Sequence, residues 1–221
     1  MFMTAISSVS IERGRINRIL NILSKAYPDA KIALHFSNPL EMLVSTILSA
    51  QCNDERVNLV TKDLFKKYKT PEDYAKSEIN EFEAMIRSTG FYRSKTKNIR
   101  NACQIIVEKF DSKVPRTMNE LTSLPGIGRK TANIILSNSY GVIEGIAVDT
   151  HVARVSKRLG LTNAKEPDKI EQDLMKLIKK ELWVSFTYQM IEHGRQICSA
   201  RKPICNQCLL KRLCPSVLSF E

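Results

Sequence analysis

Apolar residues recur along most of this chain at intervals of three and four positions, the spacing of one face of an α-helix. Such stripes occupy positions 16–26, 40–48, 57–65, 79–86, 99–110, 134–136, 152–159, 170–178 and 183–191. Asparagine and proline separate them: Asn38 and Pro39 open the second stripe, and Asp54 is predicted to cap the third. No convincing alternation of apolar and polar residues indicates a strand. The chain is therefore predicted to be all-α, with about ten helices and no internal repeat.

The length and composition fit a globular protein. With 221 residues, the chain can bury the core of one large domain or two small ones. Its 43% hydrophobic and 26% charged residues exclude wholesale disorder. The longest uncharged runs, 42–53 and 131–143, are shorter than the ~20 apolar residues of a membrane helix. The first residues show no apolar stretch followed by a small-residue cleavage site, so we expect neither a signal peptide nor a membrane partner.

The net charge of +11 is concentrated in two stretches of the chain. From Arg87 to Lys130 ten basic residues stand against three acidic ones, and from Arg195 to Arg212 five basic residues stand against none. A single basic run is usually a solvated face. Two concentrated runs in an otherwise near-neutral chain favour a polyanionic partner, most simply nucleic acid.

The sequence LPGIG runs directly into a segment with good helical pattern, RKTANIILSN. Pro125 sets the entry angle of a tight turn, while Gly126 and Gly128 supply positive φ and remove the Cβ atoms that would keep a ligand from the backbone. With the unpaired N–H groups of the next helix, this loop would form an anion site suited to a DNA phosphate. The alternative is an ordinary helix-turn-helix corner.

Lys130 lies in the first turn of the helix that follows this loop. The positive end of the helix dipole and the charge of Arg129 both disfavour an ammonium ion there. An amine that attacks carbon must be neutral part of the time, so this position suits a nucleophile. It also suits a lysine that only binds phosphate. Asp149, at the start of a later helix, is either an N-cap or a buried acid that faces Lys130 across a cleft.

Four of the six cysteines fall near the C-terminus with the spacing C-x6-C-x2-C-x5-C; they are Cys198, Cys205, Cys208 and Cys214. Without a secretory signal, a metal centre is favoured over two disulfides. Structural zinc usually takes two close pairs of ligands, whereas only one pair is close here. The wider spacing favours a [4Fe–4S] cluster, which needs four thiolates around a larger volume. Cys52 and Cys103 stand apart and are predicted to be ordinary buried thiols.

Three motifs then occur in one order: LPGIGRKTAN, AVDTHV, and HGRQIC with the cysteine array. In this combination the chain resembles, over nearly its whole length, the endonuclease III family of helix-hairpin-helix, iron–sulfur DNA glycosylases and abasic-site lyases. The resemblance implies two α-helical domains with a DNA-binding cleft between them. Residues 32–143 would form a six-helix barrel, and residues 1–31 with 144–221 would form the domain that carries a [4Fe–4S] cluster.

The same resemblance implies roles for single residues. Lys130 matches the family's catalytic lysine, and Asp149 matches its catalytic aspartate. Gln51, in LSAQCND, would fill the space left by a flipped base, and Phe91, in STGFYRSKTKNI, would wedge into the opposite strand unless it is buried in the core. The remaining DNA contacts are expected from the hairpin and from the loop between the first two cysteines, at Pro125, Gly126, Gly128, Arg129, Arg201 and Lys202.

The function that follows is a bifunctional DNA N-glycosylase and abasic-site lyase that excises oxidised pyrimidines of the thymine glycol type. Its partner would be double-stranded DNA that contains a damaged base or an abasic site. We expect a monomer which, in a prokaryote, is cytoplasmic and associated with the nucleoid. A monofunctional mismatch glycosylase, for adenine or for thymine and uracil, and a non-catalytic DNA-binding module are the alternatives.

Overall fold

A computed structural model of the chain describes residues 2–219, with the side chains of residues 13–217 and 219. This part of the chain contains eleven α-helices, five short 3-10 turns and no strand, so the all-α prediction is confirmed. The helices are α1 (Phe2–Ala26), α2 (Pro39–Leu48), α3 (Asp54–Lys67), α4 (Pro71–Ala75), α5 (Ile79–Ile86), α6 (Tyr92–Lys109), α7 (Met118–Thr122), α8 (Arg129–Tyr140), α9 (Thr150–Arg158), α10 (Pro167–Leu177) and α11 (Trp183–Gln196). None of them combines the length and apolar character needed to cross a bilayer.

The chain divides into two compact units. Residues 32–144 form the first, hereafter the central unit, which contains α2 to α8. Residues 1–31 and 145–221 form the second, hereafter the terminal unit, which contains α1 and α9 to α11.

Helix α2 forms part of the core of the central unit. Its N-cap Asn38 accepts a hydrogen bond from the Glu41 N–H at 3.0 Å, and Pro39 supplies the φ that a helix start requires. Eight of its ten residues are buried, and α3, α6 and α8 all pack against it. Each fully buried aliphatic side chain contributes about 1.5–3 kcal/mol to stability. Burial of apolar side chains is therefore concentrated on α2, and the surrounding helices pack on it.

The start of α3 differs from the prediction. Asn53, not Asp54, is the N-cap: its side-chain oxygen accepts a hydrogen bond from the Arg56 N–H at 2.8 Å. Asp54 is instead the first helical residue, where the positive end of the helix dipole stabilises its carboxylate. Both residues suit an N-cap, and the structure uses the earlier one.

In the terminal unit, α1 and α9 both pack against α11. Ile19 and Leu23 of α1 are fully buried, as is Met190 of α11. The indole N–H of Trp183 donates to the Ile178 carbonyl at 2.9 Å, so this buried ring leaves no polar atom unsatisfied. Beyond α11 the chain contains no α-helix up to residue 219, and it is ordered by three 3-10 turns at Cys205–Gln207, Lys211–Leu213 and Val217–Ser219.

Candidate nucleic-acid interface and metal centre

The helix-hairpin-helix consists of α7, the turn 123–128 and α8. Leu124 and Ile127 are buried and hold the turn on the core of the central unit. Gly126 has φ +82°, and a Cβ placed on it would lie 3.0 Å from the Asn98 side-chain nitrogen. Glycine is therefore required at this position by both backbone conformation and space.

Gly128 has a different role from the one predicted. Its φ is −93°, which other residues adopt, so the expectation of positive φ is wrong for this glycine. It is the N-cap of α8, and no side chain caps that helix start. A Cβ at Gly128 would meet no protein atom within 4 Å. Gly128 therefore brings no side chain of its own to the start of α8, and the space beside it is open to an anion.

Lys130 is the second residue of α8 and its side chain is exposed. Arg129 precedes it and is also exposed. The structure thus brings the glycine-containing turn and an exposed amine together at one helix start. This arrangement can hold a phosphate and present a nucleophile to the adjoining sugar.

Gln51 lies in the short connection between α2 and α3, with φ +53°. Its side chain is exposed. A non-glycine residue in this left-handed region costs about 1–3 kcal/mol and persists only when its surroundings enforce it. The connection therefore holds Gln51 in one strained conformation on the surface of the central unit.

Phe91 precedes α6 and has φ +48°. Its ring is 64% exposed, which excludes the alternative that it belongs to the core. A bulky aromatic residue rarely combines positive φ with an exposed side chain, because the backbone conformation is strained and the ring is apolar. The two residues predicted to probe DNA are thus among the four non-glycine residues with positive φ in the described chain.

Asp149 is the N-cap of α9, because its Oδ1 accepts a hydrogen bond from the Val152 N–H at 2.8 Å. The carboxylate is half-buried. Helix α9 packs closely on α11 at Gly194, where a Cβ would lie 2.9 Å from His151 Nδ1 and 3.1 Å from an Arg154 guanidinium nitrogen. The glycine of the HGRQIC motif therefore allows the approach of the helix that begins at Asp149.

The four C-terminal cysteines, at 198, 205, 208 and 214, line one pocket of the terminal unit. Burial, followed by the charges of the other cysteines, raises the pKa of the Cys208 and Cys214 thiols. Four thiolates gathered in this way require a cationic group among them. Cys103, by contrast, is fully buried in the central unit, where burial raises its pKa to about 12, and Cys52 is half-buried.

The chemistry of this donor set fits a four-thiolate cluster. All four side chains are cysteines that line one pocket of the terminal unit, and a [4Fe–4S] cluster takes four thiolates. In the part of the chain that the structure describes, no three His, Cys, Asp or Glu side chains are gathered closely enough to hold one ion.

Polar side chains support the cysteine pocket from two sides. Arg158 of α9 donates to Cys198 Sγ at 3.3 Å, to the Ser199 carbonyl at 2.7 Å and to the Ala200 carbonyl at 2.8 Å. Burial lowers the pKa of His193 to about 4, so its ring is neutral. It lies 3.1 Å from the Tyr27 hydroxyl and 3.6 Å from Cys208 Sγ.

The loop between the first two cysteines is closed at its base. The Ile204 N–H donates to the Ile197 carbonyl at 2.9 Å, and the Ser199 hydroxyl donates to the Lys202 carbonyl at 2.6 Å. Arg201 and Lys202 lie at the exposed tip of this loop. Their cationic groups are therefore presented to solvent on a constrained backbone.

Sequence reasoning missed one buried cation, Lys95 of α6, which is only 4% exposed. It is one of the ten basic residues between Arg87 and Lys130 that were taken together as favouring a polyanionic partner. Its position next to the apolar stripe that begins at Ile99 was the available indication of burial.

A helix-hairpin-helix within an all-helical chain is typical of one class of base excision DNA repair proteins, and the sequence falls in this class. Residues 44–180 match the family described as "HhH-GPD superfamily base excision DNA repair protein". The fold extends to distant members: a solved thermostable thymine-DNA glycosylase is 20% identical with a TM-score of 0.84, and the match covers 93% of this chain and 98% of that one.

Within that class the chain is similar over most of its length to one group of enzymes. The endonuclease III of Synechocystis is 52% identical over 93% of this chain and 94% of its own length, and that of Bacillus subtilis is 45% identical over 90% and 91%. A solved non-covalent endonuclease III–DNA complex is 45% identical, with a TM-score of 0.90, and the match covers 94% of this chain and 97% of that one. The chain belongs to the endonuclease III family of the HhH-GPD superfamily. The predicted class of enzyme, a DNA glycosylase and lyase acting in base excision repair, is confirmed.

Proposed function

We propose that this protein is a bifunctional DNA N-glycosylase and abasic-site lyase that excises oxidised pyrimidines of the thymine glycol type from double-stranded DNA. The observation that carries the proposal is the exposed Lys130 in the first turn of α8, directly after a turn suited to phosphate. A solved structure described as a trapped endonuclease III–DNA covalent intermediate is 45% identical to this chain, which supports a nucleophile on the protein. The protein would act where bacterial DNA lies, in the cytoplasm.

The reaction begins when the lone pair of Lys130 Nζ attacks C1′ of the flipped nucleotide. The N-glycosidic bond breaks, and the base leaves with its electrons and takes up a proton. The attached amine loses one proton, the C1′–O4′ bond breaks as O4′ takes up a proton, and a protonated Schiff base forms between Nζ and C1′. Loss of a 2′ proton then expels the 3′ phosphate by β-elimination, and water releases the lysine. Flipping is easiest for a base that is already poorly stacked, which favours oxidised pyrimidines.

The Asp149 carboxylate has the second role in this proposal. It stabilises the positive charge that develops on the sugar and accepts or relays the protons that the reaction releases. Its bond to the Val152 N–H uses Oδ1, so that capping does not occupy Oδ2. Helix capping and catalysis are compatible because they use different oxygens.

The remaining residues bind and shape the DNA. The Pro125-Gly126-Ile127-Gly128 turn and Arg129 hold the backbone phosphates without reading sequence. Gln51 occupies the space that the flipped base leaves, and Phe91 stacks against the orphaned base of the other strand.

We assign a [4Fe–4S] cluster to the thiolates of the four C-terminal cysteines. Bound there, the cluster would act as a rigid anchor for the surrounding loops. Arg201 and Lys202, on the loop between the first two of these cysteines, would then contact phosphates at a fixed position.

Borohydride trapping tests the proposal. The protein is mixed with a duplex that contains one thymine glycol, reduced, and separated on a denaturing gel. We expect a covalent adduct with the wild type and none with Lys130→Gln. The matched control is Arg129→Gln, which removes one charge from the same helix turn and should weaken binding but keep the adduct. Base release without an adduct would indicate a monofunctional glycosylase, and duplex binding without base release would indicate a docking module or another lesion.

A further inference from the structure

The buried lysine of α6 connects the two segments that carry Gln51 and Phe91. Lys95 Nζ donates to the Leu48 carbonyl at 2.7 Å and to the Thr89 carbonyl at 2.8 Å. Leu48 is the last residue of α2, three positions before Gln51. Thr89 ends the 3-10 turn Arg87–Thr89, two positions before Phe91. One ammonium group therefore joins two connections that are about 40 residues apart in sequence.

Stability alone does not explain why an ammonium group is buried at this position. Both acceptors are neutral carbonyls at the ends of helical segments, where carbonyl groups lack intrahelical partners and the dipole is negative. They stabilise the cation, yet burial still lowers the pKa of the Lys95 amine. An apolar side chain of the same length would fill this space without a desolvation cost. What it could not do is link the two carbonyls.

Both linked segments contain a strained residue. Gln51 has φ +53° and Phe91 has φ +48°, and both side chains are exposed. Strained backbone of this kind persists only where the surrounding structure enforces it. The two bonds of Lys95 lie three positions before Gln51 and two before Phe91, and so they can provide that constraint.

We propose that Lys95 is a positioning residue that sets the spacing between Gln51 and Phe91, so that both side chains enter a damaged duplex together. The inference rests on the proposed function, since it assigns Lys95 a part in lesion recognition. Lys95 acts through its bonds to the Leu48 and Thr89 carbonyls and does not itself touch DNA.

The test compares lesion recognition with general DNA binding in Lys95→Met. Two duplexes are titrated, one undamaged and one with a tetrahydrofuran abasic-site analogue opposite 2-aminopurine. We expect Lys95→Met to reduce the preference for the analogue at least tenfold, to remove the change in 2-aminopurine fluorescence, and to leave affinity for the undamaged duplex within twofold. Ile106→Val, a buried change on the same helix, is the control for loss of stability and should keep both the preference and the fluorescence change.

A mutant cycle separates positioning from a structural role. If Lys95 acts through the two loops, Lys95→Met should add less than twofold to the loss already caused by Gln51→Ala with Phe91→Ala. Should Lys95→Met not fold, Lys95→Gln, which keeps an amide donor, takes its place in the same titrations. An unchanged preference, or equal loss of affinity for both duplexes, would overturn the inference. A wild type with no preference for the analogue and no borohydride adduct would instead overturn the proposed function.

Discussion

Asp149 shows how one side chain can satisfy a local rule and still be available for chemistry. A carboxylate at an N-cap is ordinary, and its bond to the Val152 N–H at 2.8 Å needs no functional explanation. The sequence alone left the cap and the catalytic acid as alternatives. The structure shows that the cap is real, and the two roles can be separated because asparagine caps a helix as well as aspartate does.

We therefore predict that Asp149→Asn keeps the stability of the protein but lowers the rate of base excision by about 10²–10⁴-fold, since the charge is lost. Asp149→Ala should lower the rate similarly and also reduce the free energy of unfolding by about 0.5–2 kcal/mol. Urea unfolding and single-turnover excision measure the two effects. Equal activity in wild type and Asp149→Asn would show that Asp149 acts only as an N-cap.

The two hairpin glycines should respond differently to alanine. Gly126→Ala introduces a Cβ at φ +82° and against Asn98, so we predict a loss of about 1–3 kcal/mol in unfolding free energy. Gly128→Ala meets open space at φ −93° and should cost less than about 1 kcal/mol, yet weaken duplex binding because its methyl group obstructs the phosphate. Urea titrations and binding isotherms check the pair. Full binding by Gly128→Ala would exclude phosphate contact at this helix start.

For single residues, the sequence indicated candidate functional side chains better than it indicated their burial and contacts. Lys130 and Asp149 could be recognised because motifs surround them. For Lys95 the only indication was its place beside the apolar stripe that begins at Ile99, because its bond to the Leu48 carbonyl, 47 positions away in the chain, depends on tertiary structure. The exposure of Phe91 was likewise undecided, since apolar residues occur both in cores and at binding surfaces.

Among the elements, hydrophobic periodicity predicted the long helices and missed the shortest. Helices α4 and α7 have five residues each, too few to display a repeating apolar face. The sequence nevertheless contains capping residues at the start of both helices. Thr70 and Asp73 form a reciprocal capping box, and Thr117 accepts a hydrogen bond from the Glu120 N–H. Capping patterns were thus the informative local signal for α7, the first helix of the hairpin.

The cysteine loop allows a prediction about salt dependence. If Arg201 and Lys202 each neutralise one phosphate, replacing both by alanine should lower the slope of log affinity against log salt by about 1.8. The loss should be the same for damaged and undamaged duplex. The control replaces Lys169 and Lys176 of α10, two exposed cations outside the basic stretches, and should leave the slope unchanged. An unaltered slope in the variant with alanine at positions 201 and 202 would show that Arg201 and Lys202 do not contact DNA phosphates.

At the scale of the whole molecule, the terminal unit joins segments from both ends of the chain, residues 1–31 and 145–221. Arg15 of α1 illustrates this, because its guanidinium donates to the carbonyls of Leu159 at 2.8 Å and Leu213 at 3.2 Å. Neither periodicity nor charge revealed such pairings, which depend on tertiary contacts between distant segments. The family resemblance supplied that expectation.

Iron removal should affect the two units unequally. The segment 197–217 contains no α-helix, and a cluster bound by its cysteines, as proposed, would contribute directly to its order. We predict that chelation under reducing conditions abolishes the visible absorbance and makes trypsin cleave first after Arg201, Lys211 and Arg212, whereas Pro203 protects the bond after Lys202. The products can be assigned by mass spectrometry. Cleavage spread evenly over both units would contradict a cluster confined to the terminal unit.

The strained conformations of Gln51 and Phe91 have a consequence for the search along DNA. If Gln51 and Phe91 enter DNA as proposed, they do so from backbone conformations that the folded protein already holds, so that no loop has to be ordered at each new base pair. Encounters with undamaged pairs can then be short, and most of the time can be spent moving to the next pair. The rate of finding a lesion would accordingly follow diffusion and ionic strength.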